Sequence, residues 1–252
     1  MLKFFKKILR IFIPRPKITR WLQIKKELLN THGLEVAGPS PYFSIHSKCP
    51  VYEHCASLDN CNFSNQPYFG TSFQDGDTFN CCTRNNPGRQ FIAEAADMPD
   101  IPDKKYDFIL SSHVLEHIAN PLQALNEWRR ITRKNGLLFL ILPLKKNIFD
   151  HLRPDTEWEH LLLDYQQQIK EDDLTHLTEI LALHDLQRDK FAGTKEEFIA
   201  RSKNNLQWRC LHHHVFTPEL AEKCLEFCGW EIIQSETLDK ISFLILGRNP
   251  GN

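Results

Sequence analysis

The sequence predicts an α/β fold built on an open, doubly wound, mostly parallel sheet, and three runs of residues carry that prediction. Residues 106–111, YDFILS, have the look of a buried strand. Residues 113–131 follow with Leu122, Leu125, Trp128 and Ile131 at helical spacing. Residues 137–143, LLFLILP, then form the unbroken apolar run of a strand covered on both faces. Strand, helix and strand in this rhythm make a βαβ unit, whose completion is a parallel sheet flanked by helices. With 252 residues, 41% hydrophobic and 25% charged, the chain can bury a sizeable core and is neither disordered nor fibrous in composition. No run of 18 apolar residues occurs, which argues against a helical membrane span.

The elements follow in chain order. Residues 1–26 hold nine Lys and Arg and no acid, so the formal net charge of −1 hides a remainder with 22 bases against 32 acids. That balance opposes phosphate binding and argues against a nucleic-acid partner. Drawn as a helix, MLKFFKKILRIFI gathers Lys3, Lys6, Lys7 and Arg10 in one arc and leaves the apolar residues on the rest, until Pro14 and Pro16 stop it. Its charges interrupt the apolar stretch that a secretion signal needs. Residues 1–13 suit either an anionic membrane surface or packing against protein. Eight cysteines without a secretion signal fit a reducing compartment, so a cytoplasmic location is expected, with a peripheral place at the inner membrane face as the variant that residues 1–13 allow.

Residues 21–30 read as a polar helix, and 33–43, GLEVAGPSPYF, as a short strand running into a turn. Residues 44–90 are loop-rich, with one strand expected near 55–59, and 91–93 make a strand leading into EAADMPDIPD. After the βαβ unit, 144–215 break the rhythm with a polar stretch holding seven of the twelve histidines. A helix at 218–228 then leads to strands at 230–235 and 241–247. The expected organisation is a basic segment (1–30), a core (31–143), an insertion forming a lid (144–215), and a helix with a strand pair completing the core (216–252).

This order of pieces resembles a class I S-adenosylmethionine-dependent methyltransferase, over roughly residues 31–143 and 216–248. The likeness is strongest from Tyr106 to Pro143, YDFILSSHVLEHIANPLQALNEWRRITRKNGLLFLILP. More narrowly, GLEVAGPSPYF with LDNCNFS, and the stretch from FDHLRPDT to RCLHHHVF, look like a bacterial subgroup associated with surface-polysaccharide and other biosynthetic loci. The resemblance implies a Rossmann-like sheet of seven strands, the last two forming an antiparallel edge, with S-adenosylmethionine as cofactor. It also implies a small-molecule or glycan acceptor. The first strand-to-helix turn of such a sheet must let backbone approach the ligand, which favours glycine. The family has two glycines where this chain has Ala37 and Gly38, so one added methyl stands at the close approach. Within the resemblance Glu35 positions the methionine end, Asp59 takes the ribose hydroxyls, Glu94 and Ala95 meet the adenine, and Ser112 lies where the active site opens.

Methyl transfer is an in-line displacement, so catalysis is chiefly positioning in a dry site. A hydroxyl acceptor needs a base, and His113 at the exit of the fourth strand is the candidate, with His117 one turn on as the second. The lid offers Asp150, His151, Arg153, Asp155, Glu159 and His160, and a helix over EDDLTHLTEILALHD would bring Asp172, His176 and Glu179 to one face. Mixed His and carboxylate sets hold divalent zinc, manganese or iron, and His151, His160, Asp172, His176 and His213 are the candidates, although no compact metal motif is present. The alternative is a polar acceptor pocket lined by these groups and Arg153. The cysteines lack CxxC spacing and read as buried free thiols. The function expected is methyl transfer to a polar, hydroxyl-bearing acceptor. Its rivals are a catalytically silent scaffold of the same fold at a membrane surface and a metal-dependent enzyme using the lid.

Overall fold

The computed structural model describes residues 17–67, 72–81 and 86–251. The basic segment 1–13 and Cys82 lie outside the described residues. The chain runs through α1 (Trp21–Glu27), β1 (His32–Val36), β2 (Ser57–Asn62), β3 (Thr78–Phe79), β4 (Gly88–Ile92), β5 (Tyr106–Ser112), α2 (Pro121–Ile131) and β6 (Thr132–Pro143). Four helices follow, α3 (Trp158–Gln167), α4 (Leu177–Leu183), α5 (Lys195–Lys203) and α6 (Asn205–Trp208), before α7 (Pro218–Phe227), β7 (Glu231–Thr237) and β8 (Ser242–Arg248). Among the described residues no helix is long and apolar enough to cross a membrane.

One sheet has the strand order β3-β4-β2-β1-β5-β6-β8-β7. Strands β4, β2, β1, β5 and β6 run parallel, while β8 is antiparallel to both β6 and β7. Among the described residues the sheet has eight strands rather than seven. The extra one, β3, is a two-residue antiparallel edge on β4, too short to leave any periodic signal in the sequence. Chain order reverses between β1 and β5, which opens a crevice beyond their carboxyl ends.

Both faces of the sheet are covered, which is why LLFLILP reads as unbroken apolar sequence. Leu138, Leu140 and Leu142 pack with α2 and α7, while Phe139 and Ile141 pack with α1 and the loops after β1. Pro121 opens α2 instead of breaking it. The Asn120 side chain accepts the N–H of Gln123 at 3.1 Å, and a proline in the first turn gives up only a donor that has no helical partner. Residues 115–117 form a separate 3₁₀ turn, so the expected helix over 113–131 is shorter at its start. Trp128 is fully buried and donates its indole N–H to Ala95 O at 2.9 Å, tying α2 to the loop after β4. The helix expected over EDDLTHLTEILALHD also shrinks, to α4, and Asp172 falls in the turn before it. Helices α4 and α5 share a small core of their own, Ile180, Ala192, Phe198 and Leu211.

Candidate active site

The loop after β1 is held from beneath. Glu35 is fully buried and bonds the Tyr52 hydroxyl at 2.7 Å, and the Ser40 N–H donates to it at 2.9 Å. Burial raises the Glu35 carboxyl to about 8 against these hydrogen bonds, so it is largely neutral at pH 7. It does not line the cavity: it supports the loop. A Cβ at Gly38 would stand 2.2 Å from the Glu35 carboxyl, so only glycine fits there. Ala37 has φ +59°, the left-handed region that favours glycine, and stays there because its N–H donates to Cys61 O at 2.8 Å. The Asn60 amide clamps Gly38 on both sides, accepting its N–H at 2.8 Å and donating to its carbonyl at 3.2 Å. Gln90 on β4 in turn accepts from Asn60 at 2.9 Å.

Beyond this loop a cavity lies over the carboxyl ends of β1, β2, β4 and β5, bounded by Ala37, Asn62, Ala95, Ser112, His113 and His117. Glu94 also borders it, with Glu171, Trp208 and Arg209 as the opposite wall. Asp59 is absent from this wall. Its carboxylate accepts from Tyr106 Oη at 2.7 Å, from Lys105 Nζ at 3.0 Å and from the Arg89 N–H at 2.8 Å. The expected strand at 55–59 in fact runs to Asn62, so Asp59 sits three residues short of the strand's mouth, where Asn62 borders the cavity.

Glu94 is engaged by Arg209 through two bonds, at 2.7 and 3.1 Å, and the same guanidinium reaches Glu171 at 2.9 Å. Glu94, Glu171 and Arg209 also border a second cavity around Asn120, Tyr165 and Asp172. Sequence reasoning did not single out Arg209, because nothing local links it to Glu94, 115 residues away.

His113 has φ +55°, stacks on Tyr42 with centroids 5.3 Å apart, and exchanges a hydrogen bond with Ser242 at 2.9 Å. Burial, helped by the nearby His212, lowers it to about 4. His117 donates from Nδ1 to Leu211 O at 2.9 Å, since a carbonyl only accepts. That leaves Nε2 as its one proton-accepting atom. Burial holds His117 well below the ordinary histidine range. Behind it lies an ionic chain: Arg153 donates to Asp150 at 3.1 Å, and Asp150 bonds His212, which stands edge-on to His117 with centroids 4.5 Å apart. Burial works to raise Asp150, but His212 and Arg153 outweigh it and hold the acid at about 2. Arg153, expected to line the cavity, is instead buried in this network, with Glu179 at 2.8 Å as another partner. Glu116 next to His117 is fully buried, and neither of its carboxylate oxygens has a hydrogen-bond partner. Burial, opposed by His212, raises it to about 7.

The five metal candidates do not form one cluster. His151 pairs with Asp185 at 2.9 Å, His213 with Asn205 at 3.0 Å, and Asp172 borders the second cavity. His160 and His176 do meet, with Nε2 atoms 2.9 Å apart, and are joined by Asp164 and His214, which were not candidates. Asp164 lies one helical turn after His160, a spacing that could have flagged it. The thiols of Cys49, Cys55, Cys61, Cys224 and Cys228 are buried.

Residues 74–140 match the family model described as a methyltransferase domain. The match spans from before β3 into β6, so the Ala37–Gly38 loop and Asn62 lie outside it. No curated protein matches the chain. Several solved structures are similar to it. An S-adenosylmethionine-dependent methyltransferase from Aquifex aeolicus is 12% identical, with 97% of each chain covered and a TM-score of 0.47. One from Methanosarcina mazei is 12% identical over 92% of this chain and 98% of its own, with a TM-score of 0.48. The trans-methyltransferase CalH, crystallised with S-adenosylhomocysteine, is 11% identical over 90% of this chain and 53% of its own, with a TM-score of 0.49.

Proposed function

We propose that this chain, which carries a methyltransferase domain, transfers a methyl group from S-adenosylmethionine to a polar acceptor bearing a hydroxyl group, such as a sugar or another biosynthetic intermediate. The observation that supports this most is the cavity at the reversal of strand order, with a pinned backbone loop at one end and two histidines at the other. The residues fit such a cofactor. Val36 and Ala37 hold backbone at the cavity for its amino-acid end, Asn62 offers donor and acceptor to ribose hydroxyls, and Ala95 and Phe63 give apolar surface for the base. When bound, the cofactor supplies an electrophilic methyl group on a sulfonium sulfur.

The chain's own work is to orient the acceptor and take its proton. His117 is the better base of the two histidines. Its Nδ1 is committed to Leu211 O, so Nε2 is the accepting atom, and it is neutral across the physiological range. Glu116 and His212 lie beside it, with Asp150 bonded to His212 behind them. His113, bonded to Ser242 and stacked on Tyr42, is better placed to shape the acceptor's pocket.

Calorimetric titration with S-adenosylhomocysteine tests the reading. Folded protein should bind, Asn62→Ala should weaken binding by about tenfold, the worth of one or two hydrogen bonds, and Asp59→Asn should leave it unchanged. No binding by folded protein at millimolar ligand would overturn the assignment, and full turnover by His117→Ala would remove the base.

A further inference from the structure

We infer that His160, Asp164, His176 and His214 bind one zinc-class divalent cation, which staples α3, the start of α4 and the segment before α7 together. This inference does not depend on the methyl-transfer reading. The four residues come from three separate stretches of chain, and one nitrogen or oxygen of each lies within 4.8 Å of all the others. His160 and Asp164 share a face of α3, one turn apart, with Nε2 and Oδ2 separated by 3.1 Å. His176 stands at the N-cap of α4, its Nε2 2.9 Å from that of His160. His214 Nε2 lies 3.8 Å from Asp164 Oδ2.

These separations are those of a tetrahedron around a small cation. Bonds of 2.0–2.1 Å place neighbouring ligand atoms about 3.3 Å apart, and imidazole centroids about 5 Å apart. The three ring pairs have centroids 4.7, 5.6 and 5.7 Å apart, and each pair is steeply tilted. The rings thus surround a common point instead of stacking.

Hydrogen bonds alone do not account for the cluster. Asp164 Oδ2 is buried without a hydrogen-bond partner, and so is Nδ1 of His214, a side chain only 1% exposed. His214 Nε2, the nitrogen that faces Asp164, also lies 3.2 Å from Ala119 O, so coordination through it puts the ring's proton on Nδ1. Unpaired buried acceptors are costly, and a cation satisfies several of them at once. Imidazole is a borderline donor, so a set of three imidazoles with one carboxylate selects zinc, with cobalt or nickel as stand-ins, over magnesium or calcium. Four protein ligands leave no open position, so the site is structural and not catalytic. His160 is one-third exposed and leaves an entry path.

The staple has a consequence for the cavity. His214 follows His212 and Leu211, whose side chain and carbonyl support His117, and the His214 N–H donates to Glu116 O at 3.3 Å. The other cluster of three such groups among the described residues, Glu116, His117 and His212, is looser, with His212 Nε2 4.0 Å from Glu116.

Elemental analysis of protein purified without chelators or metal-affinity resin tests this directly. About one zinc per chain is expected, falling at least tenfold in Asp164→Asn and in His176→Ala, with Glu116→Gln retaining it. His176 makes no capping hydrogen bond, so its alanine variant should fold, as circular dichroism would verify. Should both variants fail to fold, cobalt added to chelator-stripped wild-type chain serves instead: the visible bands of tetrahedral cobalt are expected. Metal-free wild-type protein that shows no such bands would overturn the proposal. So would metal that is lost in Glu116→Gln and kept in His176→Ala. Binding of S-adenosylhomocysteine by metal-free protein would leave the methyl-transfer reading standing on its own.

Discussion

On the sheet side of the cavity the backbone is held by neutral groups. The Asn60 amide clamps Gly38, Gln90 clamps Asn60, and a largely protonated Glu35 fills the space under the loop. On the opposite side, residues 205–217 and the helices around them are held by charge: Arg153 with Asp150 and Glu179, Arg209 with Glu94 and Glu171, and a set of inward-facing histidines. The first wall stands on parallel strands that already satisfy its backbone, so it needs only short amide bonds to fix one turn. The second has a small apolar core, Ile180, Ala192, Phe198 and Leu211, and draws its order from ionic contacts instead. The wall on the strands is therefore the less sensitive to salt and to metal, and the wall on the helices the more so.

The sharpest way to break this contrast is to remove the charge at the centre of the helical wall. Arg153 and Asp150 are each 2% exposed, so Arg153→Met takes the guanidinium from buried Asp150 and leaves it His212 alone. Urea unfolding should show a loss of about 3–5 kcal/mol. An unchanged midpoint would mean that the ionic chain does not hold this wall.

The neutral wall has its own signature in pH. Glu35 has a folded-state value of about 8 against 4.5 unfolded, so the folded chain holds this proton more tightly. Its contribution to stability is complete below pH 4.5 and is lost as pH rises through about 8. Glu35→Gln keeps a neutral amide in the same place, so stability measured from pH 5 to 9 should lose this slope. By pH 9 the variant should be the more stable by a few kcal/mol. An identical slope in both proteins would place the titration elsewhere.

The smallest effect belongs to the rim. Glu94 is 46% exposed, and solvent screens its pairing with Arg209. Glu94→Gln should change the unfolding free energy by less than about 1 kcal/mol, against several for Arg153. Equal losses for the two would erase the distinction between the buried and the exposed ion pairs of that wall.

Much of the sheet was legible because period and run length report burial. Tyr106–Ser112 and the run ending at Pro143 announce central strands, and Leu122, Leu125, Trp128 and Ile131 announce the helix between them. The edge strand β3 was not legible, since two residues have no period. Ser112, His113 and His117 border the cavity because they follow a strand whose end is well marked in the sequence. The end of β2 was read three residues early, at Asp59, because that strand has no such marker at its end. Asp164 and His214 were overlooked because their partners are distant in the chain.

The sequence by itself determined the alternation of strands and helices, the crevice at the strand ends and the stock of histidines and acids in the second half. These follow from local periodicity and composition, which every stretch of chain carries within itself. Only the tertiary structure decided that Arg209 meets Glu94, that Arg153 is buried rather than facing the cavity, and that His160, Asp164, His176 and His214 converge. Such meetings depend on how helices with little apolar surface settle against one another. Their geometry is set by pairings between distant charges, which leave no periodic trace along the chain.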